Sequence, residues 1–246
     1  MTTPGVAIGV IAAVRSGDLD ALQRLVDDNP GLANTRLGGP GGGRTPLHVV
    51  TDWPGFFRNG PEAAQLLIGA GADVDSRGDD EEHGETPLHW AASSDDAAVA
   101  AVLIDAGANL DMPNGSIGTP LANAVGYACW NVARLLVARG ATVDALWESA
   151  ALGLLERLEE LLADESIATA ENISQAFWHA CAGGQRRAAE RLLGLGADLN
   201  GVPDYAERTP LEVAGGGGTQ DSNVVEWLKQ LGARSTDSDT AGGSNG

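Results

Sequence analysis

Short apolar runs separated by polar or glycine-rich breaks extend along almost the whole chain. In residues 97–105 the apolar side chains recur at helical spacing, which predicts a short helix. The same alternation near the start predicts helices at about residues 6–15 and 19–27, divided by Ser16, Gly17 and Asp18. The pattern therefore indicates repeated pairs of short helices rather than one thick core.

A four-residue motif marks the start of several of these pairs. Thr45-Pro46-Leu47-His48 recurs as Thr86-Pro87-Leu88-His89, and shorter versions stand at Thr119-Pro120-Leu121 and Thr209-Pro210-Leu211. A threonine can cap a helix N-terminus, and a proline fits the first helical turn because its missing N–H is not needed there. Each motif therefore predicts a helix start.

A Gly-Ala step marks the end of the second helix in five of the predicted pairs. It follows a Leu-rich run at Gly71, Gly107, Gly140, Gly196 and Gly232. Glycine is favoured just past a helix end because it adopts positive φ without steric cost. The polar stretch after each step, rich in Asp and Asn, is expected to form an extended finger leading to the next repeat.

Self-similarity at a period near 33 residues, built on the Thr-Pro-Leu-His motif, resembles the ankyrin-repeat family. The resemblance implies an all-α repeat solenoid, an ankyrin array of about seven helix-turn-helix units with short extended fingers, over residues 1–234. The unit near 145–173 is degenerate because it lacks both markers. Residues 235–246 have little to bury and are expected to be a disordered tail.

The resemblance also carries expectations about function. Ankyrin arrays are overwhelmingly protein-binding scaffolds that act through a concave face and finger tips, although one fold hosts many unrelated partners. The threonine hydroxyl and the histidine of the motif usually tie adjacent repeats together, so His48 and His89 are expected to be structural.

Composition and charge narrow the class of partner. The 246 residues carry 34 acidic and 15 basic side chains, a formal net charge of −19. Such a field repels nucleic acid and anionic membranes and favours a partner with a basic surface. No signal peptide and no membrane-spanning run is evident, and Cys129 and Cys181 are too few for a disulfide framework. We therefore expect a cytoplasmic monomer.

The largest departure from the repeat is an insertion in the second unit. Thr45 and Gly71 are 26 residues apart, whereas the corresponding distance is 21 residues in the next two units. The extra residues fall in 52–62, a segment that contains Trp53, Phe56 and Phe57. Clustered aromatic side chains on a loop are typical interface anchors. Alternatively, the three rings fold back and cap the neighbouring helices.

Two further departures suggest binding residues. A lengthened finger carries four consecutive carboxylates, Asp79, Asp80, Glu81 and Glu82, without the alternation of a calcium loop, so it is either solvated or a docking element for basic residues. By the resemblance, Trp90, Tyr127 and His179 lie toward the concave face. They form a protein-binding strip or, for Trp90, local packing between fingers.

No recognised catalytic, nucleotide-binding or metal-ligand motif is present, and His179 and Cys181 lie two apart, where helical side chains diverge. We therefore expect no catalytic residues, no metal and no cofactor. The favoured function is a protein-binding scaffold or adaptor. The alternatives are an inhibitor or antidote of a basic enzyme or toxin, and a small-molecule-binding or catalytic array that uses the aromatic strip.

Overall fold

The computed structural model describes residues 3–38, 43–78, 84–215 and 222–236. Within these ranges the regular structure is fourteen α-helices and one short 3-10 helix at Leu32–Asn34, with no β-strand. The predicted fold class, an all-α repeat solenoid, is confirmed. The chain divides into two compact units, Met1–Thr142 and Val143–Gly246.

The first unit contains four helix pairs arranged in two layers. Its helices are α1 Pro4–Ser16, α2 Leu19–Asp28, α3 Pro46–Val50, α4 Gly60–Gly69, α5 Pro87–Ser94, α6 Ala97–Asp105, α7 Pro120–Gly126 and α8 Trp130–Ala138. The first helices of the pairs pack in the order α1, α3, α5, α7, and the second helices in the order α2, α4, α6, α8. Each repeat thus contacts its neighbours along both layers.

The second unit contains three more pairs. Its helices are α9 Leu146–Leu152, α10 Leu155–Leu162, α11 Ala170–Ala182, α12 Arg186–Leu193, α13 Pro210–Gly215 and α14 Ser222–Gln230. Its core surrounds Phe177 on α11, which packs against both α9 and α13. The degenerate repeat therefore still forms a helix pair, α9 and α10, without its markers.

The threonine motif caps helices as the sequence predicts. Thr45 and Thr86 are the N-cap residues of α3 and α5, with proline following in the first turn. The histidine three residues later completes the cap, because its Nδ1 accepts from the N–H of the threonine at 3.2 Å in both repeats. In the degenerate repeat Glu148 takes this role, with Oε2 3.3 Å from the N–H of Ala145.

The same histidines join adjacent repeats. Because Nδ1 accepts, Nε2 carries the proton and donates to a carbonyl of the following finger, Glu85 at 3.0 Å from His48 and Gly118 at 3.2 Å from His89. Burial lowers the pKa of His89 and so favours this neutral form. The structural role expected for His48 and His89 is confirmed.

The glycines after the second helices adopt the predicted conformation. Gly71, Gly107 and Gly140 have φ values of 86°, 92° and 93°. The fingers beyond them contain no strand in the described ranges. Single backbone hydrogen bonds close them instead, such as the one from Gly78 N–H to Glu85 O at 2.7 Å.

Short polar side chains in the fingers form a second set of connections between repeats. In each connection an Asn or Asp side-chain oxygen of one repeat accepts from a backbone N–H of the next repeat. The pairs are Asn34 with Asp73 at 2.7 Å, Asp75 with Asn109 at 2.9 Å, Asp111 with Thr142 at 2.8 Å and Asn200 with Arg234 at 2.8 Å. We call this set the finger ladder.

Two sequence expectations fall partly outside the described residues. The acidic finger Asp79–Glu82 lies there, as do residues 237–246 of the expected disordered tail. Thr236 was also assigned to that tail, but its N–H and hydroxyl donate to Glu212 Oε1 at 2.8 and 2.7 Å. Across the described ranges, none of the helices combines the length and apolar character that a membrane-spanning segment requires.

Candidate functional site

The insertion between α3 and α4 exposes two large aromatic side chains. Trp53 is 79% exposed and Phe56 is 68% exposed, whereas Phe57 is partly buried. Trp53 and Phe56 therefore do not fold back over the neighbouring helices. We call residues 52–59 the aromatic loop.

The backbone of the aromatic loop is fixed by contacts with both adjacent repeats. The N–H of Phe56 donates to Asp96 Oδ2 at 2.9 Å, while Asp96 Oδ1 accepts from Val99 N–H and caps α6. On the other side, Asn59 Nδ2 donates to Gly17 O at 2.9 Å. Because buried Asp96 accepts hydrogen bonds from both the aromatic loop and α6, it holds in place the backbone that carries the exposed rings.

A shallow groove of about 220 Å³ runs between the aromatic loop and α5. We call it the aromatic groove; it is lined by Thr51, Asp52, Trp53, Glu85, Trp90, Ser93 and Ser94. Trp90 is partly buried and meets His48 edge to face, with ring centroids 5.1 Å apart and planes at 77°. This contact fixes the Trp90 ring at the side of the groove opposite the loop.

Asp52 and Glu85 each place a carboxylate at this groove, but the two carboxylates have different partners. Asp52 pairs with Arg44 at 2.6 Å and with Arg15 at 3.2 Å. Glu85 Oε1 accepts instead from the N–H of Ser116 and the amide of Asn123, each at 2.7 Å. Burial acts to raise the pKa of Glu85, but these hydrogen bonds outweigh burial and hold that pKa below its usual value.

Tyr127 belongs to the same polar network. Its hydroxyl donates to Ser116 Oγ at 3.1 Å, and half of the residue is exposed. The N–H of Ser116 donates to Glu85 Oε1, which links this tyrosine to a side chain of the aromatic groove, and Asn123 donates to both Glu85 and Ser93. Of the predicted binding residues, Trp53, Phe56, Trp90 and Tyr127 therefore lie on connected parts of the first unit.

His179 lies elsewhere, in a ring cluster of the second unit formed with Trp147, Trp178 and Tyr205. Its ring centroid is 4.8 Å from that of Trp147 and 4.9 Å from that of Trp178. Only 5% of the residue is exposed, so the expectation of an exposed contact residue is wrong for His179. Burial lowers the pKa of its imidazole to about 4.

Tyr205 covers His179 and was missed by the sequence interpretation. Its hydroxyl accepts from Gln175 Nε2 at 2.8 Å and forms a hydrogen bond of 3.0 Å with His179 Nε2. The available signal was a tyrosine in a finger four residues before Thr209. A neighbouring groove of about 290 Å³ is lined by Tyr205, Gln175 and the carboxylates Glu171, Asp198 and Asp204.

The two thiols are not poised for chemistry. Cys129 and Cys181 are free and buried, and burial raises the pKa of Cys129 to about 11 and that of Cys181 further. Both are therefore neutral thiols near pH 7, which are weak nucleophiles and weak metal ligands. Among the residues that the structure describes, no three His, Cys, Asp or Glu side chains come together in a metal-holding group.

Comparison with known proteins identifies the repeats. The family model described as "Ankyrin repeats (3 copies)" matches residues 10–114 and 55–146, together more than half of the chain.

The matched segments make up only a small part of each individual relative, between 5% and 13% of its length. The chain is 30% identical over 182 residues to the ankyrin repeat and KH domain-containing protein mask-1 of Caenorhabditis elegans, covering 70% of this chain and 7% of that protein. It is 41% identical over 81 residues to the protein fem-1 homolog A of Danio rerio, covering 30% of this chain and 13% of that protein. It is 34% identical over 83 residues to the E3 ubiquitin-protein ligase KEG of Arabidopsis thaliana, covering 34% and 5%.

Proposed function

Because the chain belongs to the ankyrin-repeat family, whose repeats are generally protein-interaction modules, we propose that it is a protein-binding scaffold or adaptor. The aromatic loop and the adjoining face of α5 and α7 form the binding surface. Trp53, Phe56 and Trp90 are its apolar anchors, with Phe57 supporting the loop and Tyr127 at the edge. The acidic finger, Asp79, Asp80, Glu81 and Glu82, steers a partner with a basic surface toward it.

One observation carries this proposal. Trp53 and Phe56 expose 79% and 68% of their surface on a loop whose backbone is hydrogen-bonded to the repeats on both sides. Exposed aromatic side chains cost solvation free energy that binding recovers, and an ordered loop loses little conformational entropy when it binds. Interface hot spots are enriched in such residues.

A macromolecular partner fits the dimensions better than a metabolite does. The aromatic groove measures about 220 Å³, whereas small-molecule sites commonly occupy about 300–1,000 Å³ and enclose most of their ligand. Two exposed rings on a loop beside a shallow groove suit insertion into a complementary protein surface. We therefore rank the small-molecule and catalytic alternatives below the scaffold.

An inhibitor or antidote of a basic enzyme or toxin is the second candidate function. The formal charge of −19 favours it, because an anionic protein accelerates encounter with a cationic target. The two candidates share the property of protein binding and differ in its dependence on salt. An electrostatically steered complex weakens as salt rises, whereas one held by aromatic anchors changes little.

The proposal assigns no catalytic role to this chain. One relative carries a ligase name, but the aligned segment is 5% of that protein's length, and ankyrin repeats are generally non-catalytic. The proposal also places the protein in the cytoplasm as a monomer. Two free, buried thiols suit a reducing compartment. Cell fractionation and light scattering of the purified chain test these two points.

The direct test compares affinity capture by the wild-type chain with capture by the double variant Trp53→Ala/Phe56→Ala. Partners from source-cell lysate are quantified by mass spectrometry at about 50 mM and about 500 mM NaCl. We expect the double variant to lose about tenfold or more of the specific partners, because truncated hot-spot residues commonly contribute at this level.

Ile8→Ala is the matched control, since Ile8 is 67% exposed and lies on α1 outside the aromatic loop. Both variants should unfold within about 0.5 kcal/mol of the wild type, because the truncated side chains are exposed. Retention of the same partners by the double variant would rule out the aromatic loop as the binding surface. Release of a basic partner at high salt would instead support the inhibitor.

A further inference from the structure

We propose that the aromatic groove binds an arginine side chain of the partner protein. This inference rests on the proposed function, because it assigns the chemistry of the partner at the same surface. It follows from the three kinds of group that line the groove: indole rings, a carboxylate bonded by neutral donors, and serine hydroxyls.

The indole rings provide aromatic surface on two sides of the groove. Trp53 projects from the aromatic loop and is largely exposed, while the edge contact with His48 holds Trp90 at the other side. A cation over the face of a tryptophan ring is attracted by the ring quadrupole, and tryptophan is the best side chain for this interaction. A planar guanidinium also stacks on such a ring, which an ammonium cannot do.

Glu85 provides the counter-charge. The groups that donate to its Oε1 are a backbone N–H and a side-chain amide, both neutral, so they stabilise the charge without cancelling it. Asp52, by contrast, already pairs with Arg15 and Arg44. None of the seven side chains that line the groove is cationic. Arg15 and Arg44 lie at the Asp52 side of the groove, so the carboxylate available to a further positive charge is that of Glu85.

The hydroxyls favour a guanidinium over an ammonium. Ser93 donates to His89 O at 3.0 Å and Ser94 donates to Trp90 O at 3.1 Å, so each oxygen keeps a lone pair for a further donor, although Ser93 Oγ also accepts from Asn123 Nδ2 at 3.3 Å. Arginine carries five N–H donors in a plane, enough to reach a carboxylate and a hydroxyl while the plane lies against an indole ring. Lysine concentrates its donors on one atom and gains less from this arrangement.

Short peptides test the proposal on the full-length chain. The probes are acetyl-Gly-Arg-Gly-amide, its lysine analogue and its citrulline analogue, in which a neutral urea replaces the guanidinium at the same shape. The readout is the NMR signals of the six tryptophan indole N–H groups, with Trp53→Phe and Trp90→Phe used for assignment. We expect the arginine peptide to shift the Trp53 and Trp90 signals saturably, the lysine peptide to bind more weakly, and the citrulline peptide to leave them unmoved.

Two variants test whether the charge of Glu85 contributes to binding of the arginine peptide. Glu85→Gln retains an oxygen for Ser116 N–H and should weaken arginine-peptide binding at least about fivefold, as expected for a lost charge-assisted contact. Glu62→Gln, at an exposed glutamate on α4 outside the groove lining, should leave binding unchanged. Circular dichroism melting shows whether each variant is folded.

Several outcomes would overturn the inference. They are equal shifts with the citrulline peptide, equal binding of the lysine peptide, full binding by Glu85→Gln, and no movement of the Trp53 and Trp90 signals up to about 50 mM peptide. If the peptide fails while Trp53→Ala/Phe56→Ala still abolishes partner capture, the proposed function stands and only the arginine assignment falls. If partner capture survives the double variant, the proposed function fails independently.

Discussion

At the scale of single residues, burial of His179 couples its protonation to folding. The pKa of its imidazole falls from the ordinary 6.5 to about 4 in the fold, because the rings around it exclude water from the charged form. Between these two values the unfolded chain binds a proton that the folded chain does not. The free energy of unfolding therefore decreases as the pH is lowered from about 6.5 to about 4, by about 3 kcal/mol from this residue.

His179→Gln should remove that part of the pH dependence, since glutamine does not titrate and its amide can still form a hydrogen bond with the Tyr205 hydroxyl. Urea unfolding of both proteins across this pH range measures the difference. Carboxylates titrate in both proteins and cancel in the comparison. Equal slopes for variant and wild type would mean that His179 is not shielded from water in solution.

At the scale of helices, the absence of a side chain at Gly183 allows α9 and α11 to pack closely. Gly183 follows the last residue of α11, and a Cβ at that position would overlap the carbonyl oxygen of Ala151 on α9. Gly183→Ala must separate the two helices or distort one of them. We expect a loss of about 2–3 kcal/mol in the free energy of unfolding, measured by chemical denaturation.

Gly69→Ala is the matched control at the end of α4. A Cβ there meets no atom within 4 Å, and the residue is helical, so the substitution should stabilise the protein by about 0.5–1 kcal/mol. Opposite signs for these two glycine-to-alanine changes are the expected signature. A mild effect at Gly183 would show that α9 and α11 can move apart freely.

The helix pairs were predictable because their start and stop signals are local. The segment 97–105 coincides with α6, and each Gly-Ala step stands just beyond a helix. The end predicted for the degenerate unit, near 173, falls inside α11, which begins at Ala170. There Thr169 is the N-cap, and its hydroxyl accepts from Asn172 N–H at 3.2 Å. Thr169 lies within the segment assigned to the degenerate unit, so the sequence interpretation did not use this capping signal.

The candidate site was predictable only in its residue types. The insertion revealed Trp53 and Phe56, but their exposure depends on a backbone bond to Asp96, 40 positions away in sequence. The burial of His179 likewise depends on Tyr205, in a finger 26 positions later. Contacts at such separations leave no periodic signal in a single sequence. The same motif position therefore leaves Trp90 partly exposed and buries His179.

At the scale of the whole molecule, the charge of −19 opposes the compact state. The described ion pairs are mostly at the surface, where each contributes little, so most of the repulsion among carboxylates is uncompensated. Added NaCl should screen this repulsion and raise the thermal unfolding midpoint at pH 7 by roughly 2–6 °C. Differential scanning fluorimetry over a salt series measures the shift.

The isoelectric point provides the control for this prediction. Near pH 4.3 the net charge approaches zero, and the salt-dependent rise should shrink strongly. A midpoint that rises equally at both pH values would indicate an ion-specific effect rather than screening. A midpoint that falls with salt at pH 7 would show that the surface ion pairs outweigh the net repulsion.

The finger ladder has a consequence for how such a chain changes in length. Each of the four joints in the ladder pairs an Asn or Asp oxygen with a backbone N–H of the following repeat, and a backbone donor is present whatever side chain occupies that position. A joint therefore does not distinguish which repeat follows it. Duplication or deletion of one whole repeat between two such joints therefore leaves each acceptor with a donor and conserves the chemistry of the joints.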